Sequence, residues 1–333
     1  MTTAIALLSG GLDSTLAVKM ILDQGIKVEA VTFISLFCTC TSSSSGCMEG
    51  KAAAERLRVN LKVINISKEI LTLIRKPKYG YGKNMNPCID CRIFMFKKAE
   101  EYRKEIGASF LITGEVLGER PMSQRRDAMR IIERDSGLGG LILRPLCAKL
   151  LEPSIPEIKG LVNREKLLDI QGRSRKPQIA LAKELGINDY PCPAGGCLLT
   201  DPGFANRMRD LMEYNPEFSL NDVHLLKMGR HFRLSPKIKI IVGRNEKENK
   251  KLSSFALKGD LIFKALDFPG PTTIVRGRIE KSKMGLPASI TARYSKAKNK
   301  KEISIGYREH PFDTTRILHV APLEKSRLEA LMI

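Results

Sequence analysis

The chain has 333 residues, 43% hydrophobic and 28% charged, and its 56 Lys and Arg against 36 Asp and Glu give a formal net charge of +20. This is globular composition with enough apolar material for a sizeable core, which excludes an intrinsically disordered chain, and the length fits about two domains. No apolar run reaches the roughly 18 residues that span a bilayer, and MTTAIALLSGGLDS carries neither a basic leader nor a small-residue cleavage site, so the expected compartment is the cytoplasm and no membrane partner is expected.

In chain order, residues 4–8 form a short apolar run, as expected of a buried parallel strand. A Ser-Gly-Gly turn follows, then helical spacing over 15–24 and a second strand over 27–34. This is a βαβ unit with its glycines at the strand-to-helix turn. Strands are expected over 61–66, 110–113 and 141–144, and helices over 50–58, 91–106 and 177–185. Such alternation predicts a doubly wound α/β domain with a parallel sheet. Past residue 201 the pattern changes. Short helices fit 204–214 and 219–228, strands fit 238–242, 260–266, 272–278 and 302–307, and a helix fits 293–299. The expected organisation is a catalytic α/β domain over 1–200, a helical linker over 201–235 and a smaller basic α+β domain over 236–333. Residues 225–333 hold 24 Lys and Arg and 10 Asp and Glu, a net +14 by subtraction, which leaves +6 for the rest of the chain. A charge concentrated in this way points to a polyanionic partner, nucleic acid first.

Ser9-Gly10-Gly11-Leu12-Asp13-Ser14 stands where an α/β fold binds anions. Glycines let backbone approach phosphate oxygens, and the following helix offers free N–H groups and its positive dipole end. The Ser9 and Ser14 hydroxyls can donate to phosphate, and Asp13 can hold Mg²⁺ directly or through water. The segment is neither a Walker loop nor a dinucleotide fingerprint, because it lacks the Gly-Lys-Ser/Thr of one and the third glycine of the other.

The eight cysteines of a cytoplasmic chain read as metal, cluster or thiol chemistry rather than a disulfide framework. Cys88 and Cys91 form a C-x₂-C pair at a loop-to-helix junction, where a helix N-terminus favours thiolate. With Cys197 they would leave one iron of a 4Fe-4S cluster without a protein thiolate, and adding Cys192 would instead close a four-cysteine site for zinc or a cluster. Cys147 reads as core. Cys38, Cys40 and Cys47, in or beside the Ser-rich tract, read as exposed and incidental, with a lid or redox role second. Arg120, Arg125, Arg126, Arg173 and Arg175 flank the proposed site, and Arg120, Arg173 and Arg175 are candidate contacts for RNA phosphate or ATP.

SGGLDS resembles the PP-loop of the ATP pyrophosphatases, a family of adenine nucleotide α-hydrolase-like fold that cleaves ATP between the α and β phosphates. The resemblance implies that Ser9, Gly10, Gly11, Asp13 and Ser14 bind ATP, that Phe33 borders adenine, and that Thr113 and Gly114 border the nucleotide. Together with Asn86-Pro87-Cys88-Ile89-Asp90-Cys91-Arg92 and Pro193-Ala194-Gly195-Gly196-Cys197, the loop resembles the tRNA-thiolating branch, which includes the 2-thiouridylases and 4-thiouridine synthetases. That implies an ATP-dependent tRNA uridine sulfurtransferase, forming AMP and pyrophosphate, with Asp13, Cys91 and Cys197 as catalytic residues. Its product would be 4-thiouridine at position 8, otherwise 2-thiouridine at position 34. Its partners would be tRNA and a sulfur donor, either sulfide or a persulfide carrier. Its cofactors would be ATP, Mg²⁺ and a 4Fe-4S cluster on Cys88, Cys91 and Cys197, with zinc, or a persulfide and no metal, as the alternatives.

In the C-terminal part, Ile241–Asn249, Gly259–Phe263, Asp267–Gly270 and Ile274–Gly277 resemble the RNA-binding domain of the NFACT proteins. On that resemblance and the local charge, Arg244, Lys247, Arg276, Arg278, Lys296 and Lys298 are the phosphate candidates. Two other readings stay open: a PP-loop ligase or amidotransferase with structural zinc, and a non-catalytic tRNA-binding quality-control factor.

Overall fold

A computed structural model of the chain describes residues 2–38, 48–190 and 196–333. The chain divides into two compact units, Met1–Thr200 and Asp201–Ile333.

The first unit contains the doubly wound sheet that the alternation predicts. Strands β1 (Thr3–Leu7), β2 (Lys27–Ile34), β3 (Asn60–Asn65), β4 (Phe110–Thr113) and β5 (Ile142–Leu143) pair in parallel in the order β3-β2-β1-β4-β5. Successive side chains leave opposite faces of a strand. Ala4, Ala6 and Leu8 therefore pack into one cluster with Leu12, Leu16 and Ile21 of α1 (Leu12–Leu22), Ala53 and Ala54 of α2 (Met48–Leu57) and Ala182 of α7 (Lys176–Glu184). Ile5 and Leu7 pack into a second cluster with Ile89, Ile93 and Phe96 of α4 (Cys88–Glu105) and Ala128 and Ile132 of α5 (Arg126–Ser136). Helices α3 (Ser67–Arg75) and α6 (Ile155–Ile158) complete the unit. With both faces covered, β1 and β4 are buried almost end to end, which is why they read as continuous apolar runs. The strand order reverses at β1, between β2 and β4. Loops leaving the carboxyl ends of these strands diverge there and open the crevice in which such sheets bind ligands.

The second unit is built on an antiparallel sheet of order β11-β10-β8-β9-β7-β6. Its elements are α8 (Pro202–Tyr214), α9 (Leu220–Leu226), β6 (Arg230–Ser235), β7 (Ile238–Val242), α10 (Glu246–Phe255), β8 (Leu261–Ala265), β9 (Thr273–Arg276), α11 (Gly285–Arg293), β10 (Ile303–Glu309), β11 (Arg316–Val320) and α12 (Lys325–Leu331). Phe232, Ile240, Phe263 and Val275 meet Ala288 and Leu328 on one face, and Ile241, Ile262 and Ile274 meet Leu225 and Leu252 on the other.

Two expectations are corrected here. Residues 230–235, assigned by sequence to a helical linker, form β6, which pairs with β7 and carries the fully buried Phe232. The helix expected over 293–299 is instead the end of α11 followed by turns. Ser295 Oγ donates to the Ala292 carbonyl at 2.8 Å and accepts from the Ala297 N–H at 3.1 Å. This local side-chain bonding competes with the helical ladder and stops it. Among the described residues no helix is long and apolar enough to cross a membrane.

Candidate active site

The residues singled out in the first unit collect at the carboxyl edge of its sheet. Gly11 caps α1 in extended conformation, with φ −72° and ψ 162°. Ser14 Oγ donates to the Gly11 carbonyl at 2.9 Å, Thr15 Oγ1 donates to the same oxygen at 3.0 Å, and the Ser9 and Ser14 hydroxyls lie 3.1 Å apart. These bonds hold the turn with the exposed Ser9 hydroxyl at its mouth.

Two close approaches need glycine. A Cβ on Gly114 would stand 2.4 Å from Asp13 C and Ser14 N, so the turn after β4 lies directly against the first turn of α1. A Cβ on Gly10, at φ +82°, would stand 2.2 Å from the Glu49 backbone at the start of α2. Gly114 therefore backs the loop. Thr113 is buried at the end of β4, and Phe33 is half-buried at the end of β2, packed against the second cluster.

Asp13 is the electrostatic centre of the turn. Burial pushes its carboxyl above the ordinary carboxylate range, and the Arg175 and Arg120 charges only partly offset that. The Gln178 amide is near enough to favour the ionised form without reaching hydrogen-bond geometry. Asp13 Oδ1, Arg175 Nε and both amide atoms of Gln178 meet no hydrogen-bond partner, although Gln178 is fully buried. Glu119 joins the group, also raised by burial and by Asp13. The arginines arrive on two loops that pack together. Leu117 bridges Gln171 in parallel, Gly172 N–H donates to the Leu117 carbonyl at 2.8 Å, and Gln124 closes the 118–124 loop through Oε1 to the Arg120 N–H at 3.0 Å. Arg173 is exposed on the second loop. Arg125 pairs with Asp127, and Arg126 donates to the Leu150 carbonyl, so neither faces Asp13.

The thiols come together through loop-to-loop bonds. Met85 N–H donates to the Leu199 carbonyl at 3.1 Å and Asn84 Nδ2 to the Thr200 carbonyl at 2.8 Å, which ties the segment before α4 to the one holding Cys197. Asp90, buried in the first turn of α4, accepts from the Lys78 and Tyr79 N–H groups at 2.8 and 3.1 Å. The Cys91 thiol is pushed up to about 12 by burial and by its neighbours Cys197, Cys88 and Cys38. Cys197 is likewise pushed up to about 12 by burial, and Cys38 and Cys88 lie among its neighbours. The thiolate expected from a helix N-terminus is thus overridden at Cys91 by desolvation. Cys38, read from sequence as exposed and incidental, is half-buried and bridges Cys197. Cys147 is fully buried and donates to the Glu115 carbonyl. Cys192, Cys40 and Cys47 lie outside the described residues.

The donor set suits a soft cationic group. Burial holds the Cys91 and Cys197 thiols toward the protonated form, and a bound metal that replaces the proton offsets that cost. Among the described residues, however, no group of three or more His, Cys, Asp or Glu side chains could hold a single metal ion. The four-cysteine zinc alternative includes Cys192, which lies outside the described residues.

Sequence reasoning also missed a buried ion-pair chain beside the thiols. Glu115, 1% exposed, meets Arg144 at 3.0 Å and Arg92 at 3.4 Å, and Arg144 reaches Glu133. Arg92 follows Cys91, so the chain ties α4 to the end of β4. Glu119 was legible in the Gly-Glu-Arg segment beside Arg120, whereas nothing in the local sequence marks Gln178.

In the second unit Lys247, Arg278, Lys296 and Lys298 are exposed. Lys296 N–H donates to the Pro269 carbonyl at 2.9 Å, and Lys300 Nζ lies 4.7 Å from the Phe268 ring, so the basic turn after α11 packs on the 267–270 turn. Arg244 is half-exposed and chelated by Glu248. Arg276 is different from the other phosphate candidates. Its five N–H donors are spent on Asp260, Asp222, Asn221 and the Phe255 carbonyl, which leaves none for a phosphate. Arg276 is a structural cation, a correction to the sequence reading.

Residues 1–152 match the family described as thiamine biosynthesis protein (ThiI), and residues 229–332 match the NFACT protein RNA binding domain. A probable tRNA sulfurtransferase of Lysinibacillus sphaericus is 33% identical over 148 residues, 43% of this chain and 34% of that protein. The tRNA-specific 2-thiouridylase MnmA of Stutzerimonas stutzeri is 23% identical over 184 residues, 50% of this chain and 48% of that one. The chain thus spans between about a third and about half the length of these curated relatives. Among solved structures, a 4-thiouridine synthetase–RNA complex with bound ATP gives a TM-score of 0.37 at 23% identity, covering 56% of this chain and 52% of that one. The U34-tRNA thiolase NcsA of Methanococcus maripaludis with its 4Fe-4S cluster gives 0.34 at 16% identity, covering 68% and 70%.

Proposed function

We propose that this protein is a cytoplasmic, ATP-dependent tRNA uridine sulfurtransferase that makes 4-thiouridine at position 8. The observation that carries the reading is the arrangement at one sheet edge. A glycine turn holds a half-buried carboxylate, its Oδ1 buried without a hydrogen-bond partner, close to two arginines, and the loops of the same edge gather four thiols, Cys38, Cys88, Cys91 and Cys197. The match of residues 1–152 to the ThiI family and the names of the curated relatives support the same reaction.

In this reading Ser9, Gly10, Gly11 and Ser14 receive the phosphates at the positive end of α1. The Ser9 and Ser14 hydroxyls leave their mutual contact to do so. Asp13 would hold Mg²⁺, which supplies positive charge where the α-phosphate and the leaving pyrophosphate become more negative. Arg120 and Arg175 add fixed charge on the same side, and Gln178 supplies an amide to the nucleotide. Phe33 borders the adenine, and Thr113 and Gly114 hold the loop in place. The uridine carbonyl oxygen attacks the α-phosphorus and pyrophosphate leaves. A sulfur nucleophile then attacks the activated carbon and AMP leaves. Cys88, Cys91 and Cys197 would hold a 4Fe-4S cluster, whose remaining iron would supply a position for hydrosulfide. A persulfide carried on one cysteine of the Cys91 and Cys197 pair, its outer sulfur delivered by a persulfide donor, is the second reading. The second unit binds RNA phosphates through Lys247, Arg278, Lys296 and Lys298, assisted by Arg244 and, from the first unit, Arg173.

The test is anaerobic purification with iron and labile-sulfide analysis, then nucleoside mass spectrometry of tRNA incubated with ATP and sulfide. The expected product is 4-thiouridine, formed with stoichiometric AMP. A product of 2-thiouridine would move the site to position 34. Iron-free protein that still thiolates with a persulfide donor would select the second reading. No thionucleoside with either donor would overturn the proposal.

A further inference from the structure

The thiols near the sulfur site differ in backbone geometry. Cys88 and Cys91 lie three residues apart in the first turn of α4, whereas Cys38 and Cys197 oppose each other in an antiparallel bridge. The hydrogen bond beside that bridge runs from the Leu198 N–H to the Phe37 carbonyl, 2.8 Å. It joins the residue after Cys197 to the residue before Cys38, which makes the cysteines a non-hydrogen-bonded pair. Such a pair sets its Cα atoms about 4.5 Å apart with side chains on one face, inside the range of about 4.4–6.8 Å that a disulfide accepts.

Both backbones are pinned in this register. The Cys38 N–H donates to the Ser35 carbonyl at 3.2 Å, Ser35 Oγ stands 3.4 Å from Cys38 Sγ, and the adjacent Phe37 is buried. The Cys197 carbonyl accepts from the Thr200 N–H at 2.9 Å and from Thr200 Oγ1 at 2.7 Å, and Leu199 is buried. Both cysteines are half-buried, so a small reagent can reach them. Their sulfurs can join by side-chain rotation, with little movement of either segment.

We infer that Cys38 and Cys197 are a redox pair that closes to a reversible disulfide when a small-molecule disulfide such as oxidised glutathione is present. One thiolate attacks the small disulfide, forms a mixed disulfide and releases one small thiolate. The second protein thiolate attacks the protein sulfur of that mixed disulfide, whose S–S bond breaks and releases the second small thiolate. Two protein thiols are oxidised to one disulfide, one small disulfide is reduced to two thiols, and a dithiol reverses both steps. The consequence for activity rests on the proposed function: Cys197 bound to Cys38 can hold neither sulfur nor iron, so thiolation stops while the phosphate loop is untouched.

The experiment treats the full-length protein with oxidised glutathione, alkylates the remaining thiols and maps peptides by mass spectrometry. The expected result is one peptide pair joining Cys38 to Cys197, two hydrogens lighter than the reduced peptides, restored by dithiothreitol and absent from C38S. Cys197 joined to Cys88 or Cys91, Cys38 joined to Cys40 or Cys47, or both residues recovered alkylated would overturn the inference. In parallel, wild-type thiolation should fall in proportion to the cross-linked fraction and return on reduction. Cross-linking without thiolation in either state would leave the pair standing and remove the proposed function. Thiolation by the reduced protein with no Cys38–Cys197 cross-link would do the reverse.

Discussion

In the second unit, Arg276 gives every donor to protein partners, and Asp210 is shared by Arg233 at 2.6 Å and Lys239 at 2.7 Å. In the first, Asp13 Oδ1, Arg175 Nε and the whole Gln178 amide stand at the phosphate loop without a partner. Both regions bury charge, and only one closes the network on itself. A buried polar atom without a partner costs about 1–3 kcal/mol, so such atoms gathered at one turn mark a place where a ligand completes the hydrogen bonding. A closed network such as that of Arg276 has nothing to offer a ligand and acts on stability.

The largest effect that would sharpen this contrast is Arg276→Ala. It leaves Asp260 and Asp222 buried without their cation and should destabilise the second unit by about 3–5 kcal/mol. Hydrogen exchange read separately on the two units checks it, and unchanged protection over 201–333 would break the comparison. Asp13→Ala should do the opposite. ATP-dependent AMP release should fall by about 10²–10³-fold, while denaturant unfolding is unchanged or shifted toward greater stability. Gly114→Ala combines both effects, because its Cβ collides with the backbone at Asp13. A cost of about 1–3 kcal/mol should appear together with weakened ATP binding by calorimetry.

The pH dependence carries opposite signs in the two units. Asp13 is raised by burial, so the folded state holds its proton more tightly than the unfolded one. Its contribution to stability is present at low pH and lost as pH rises through the raised value. Burial also pushes Asp210 and Asp222 up, but Arg233 and Lys239 for one, and Ser219 and Arg276 for the other, hold them below the ordinary value. Their stabilisation is full above about 3.9 and is lost as pH falls through the lowered values. Exchange protection measured across this range should fall in the second unit on acidification, and D13N should remove an acid-side gain in the first. The smallest effect is expected of Lys296→Ala. Stability should stay within about 0.5 kcal/mol, and the salt dependence of RNA binding should lose about one phosphate contact.

What could be read from the sequence was local. The runs at 27–34, 110–113 and 238–242 became strands because continuous apolar β-rich segments need cover on both faces, and the Ser-Gly-Gly-Leu-Asp-Ser turn announced itself by standing between a strand and a helix. The departure from a helix at 293–299 is also local, because the Ser295 hydroxyl's bonds to Ala292 and Ala297 compete with the helical ladder. The error at 230–235 came from a strand whose membership depends on a partner: Phe232 is core only once β7 lies beside it.

The amino-acid sequence by itself determined the periodicities, the glycines of the phosphate turn, the C-x₂-C spacing and the excess of positive charge near the C-terminus, all of which are properties of neighbouring residues. The tertiary structure alone decided that Cys38 opposes Cys197, that Gln178 and Glu119 stand beside Asp13, and that Arg276 is consumed by carboxylates. Those outcomes depend on strand order and on which loops leave the same sheet edge, so they arise from chain segments that share no local pattern and meet only when the fold closes.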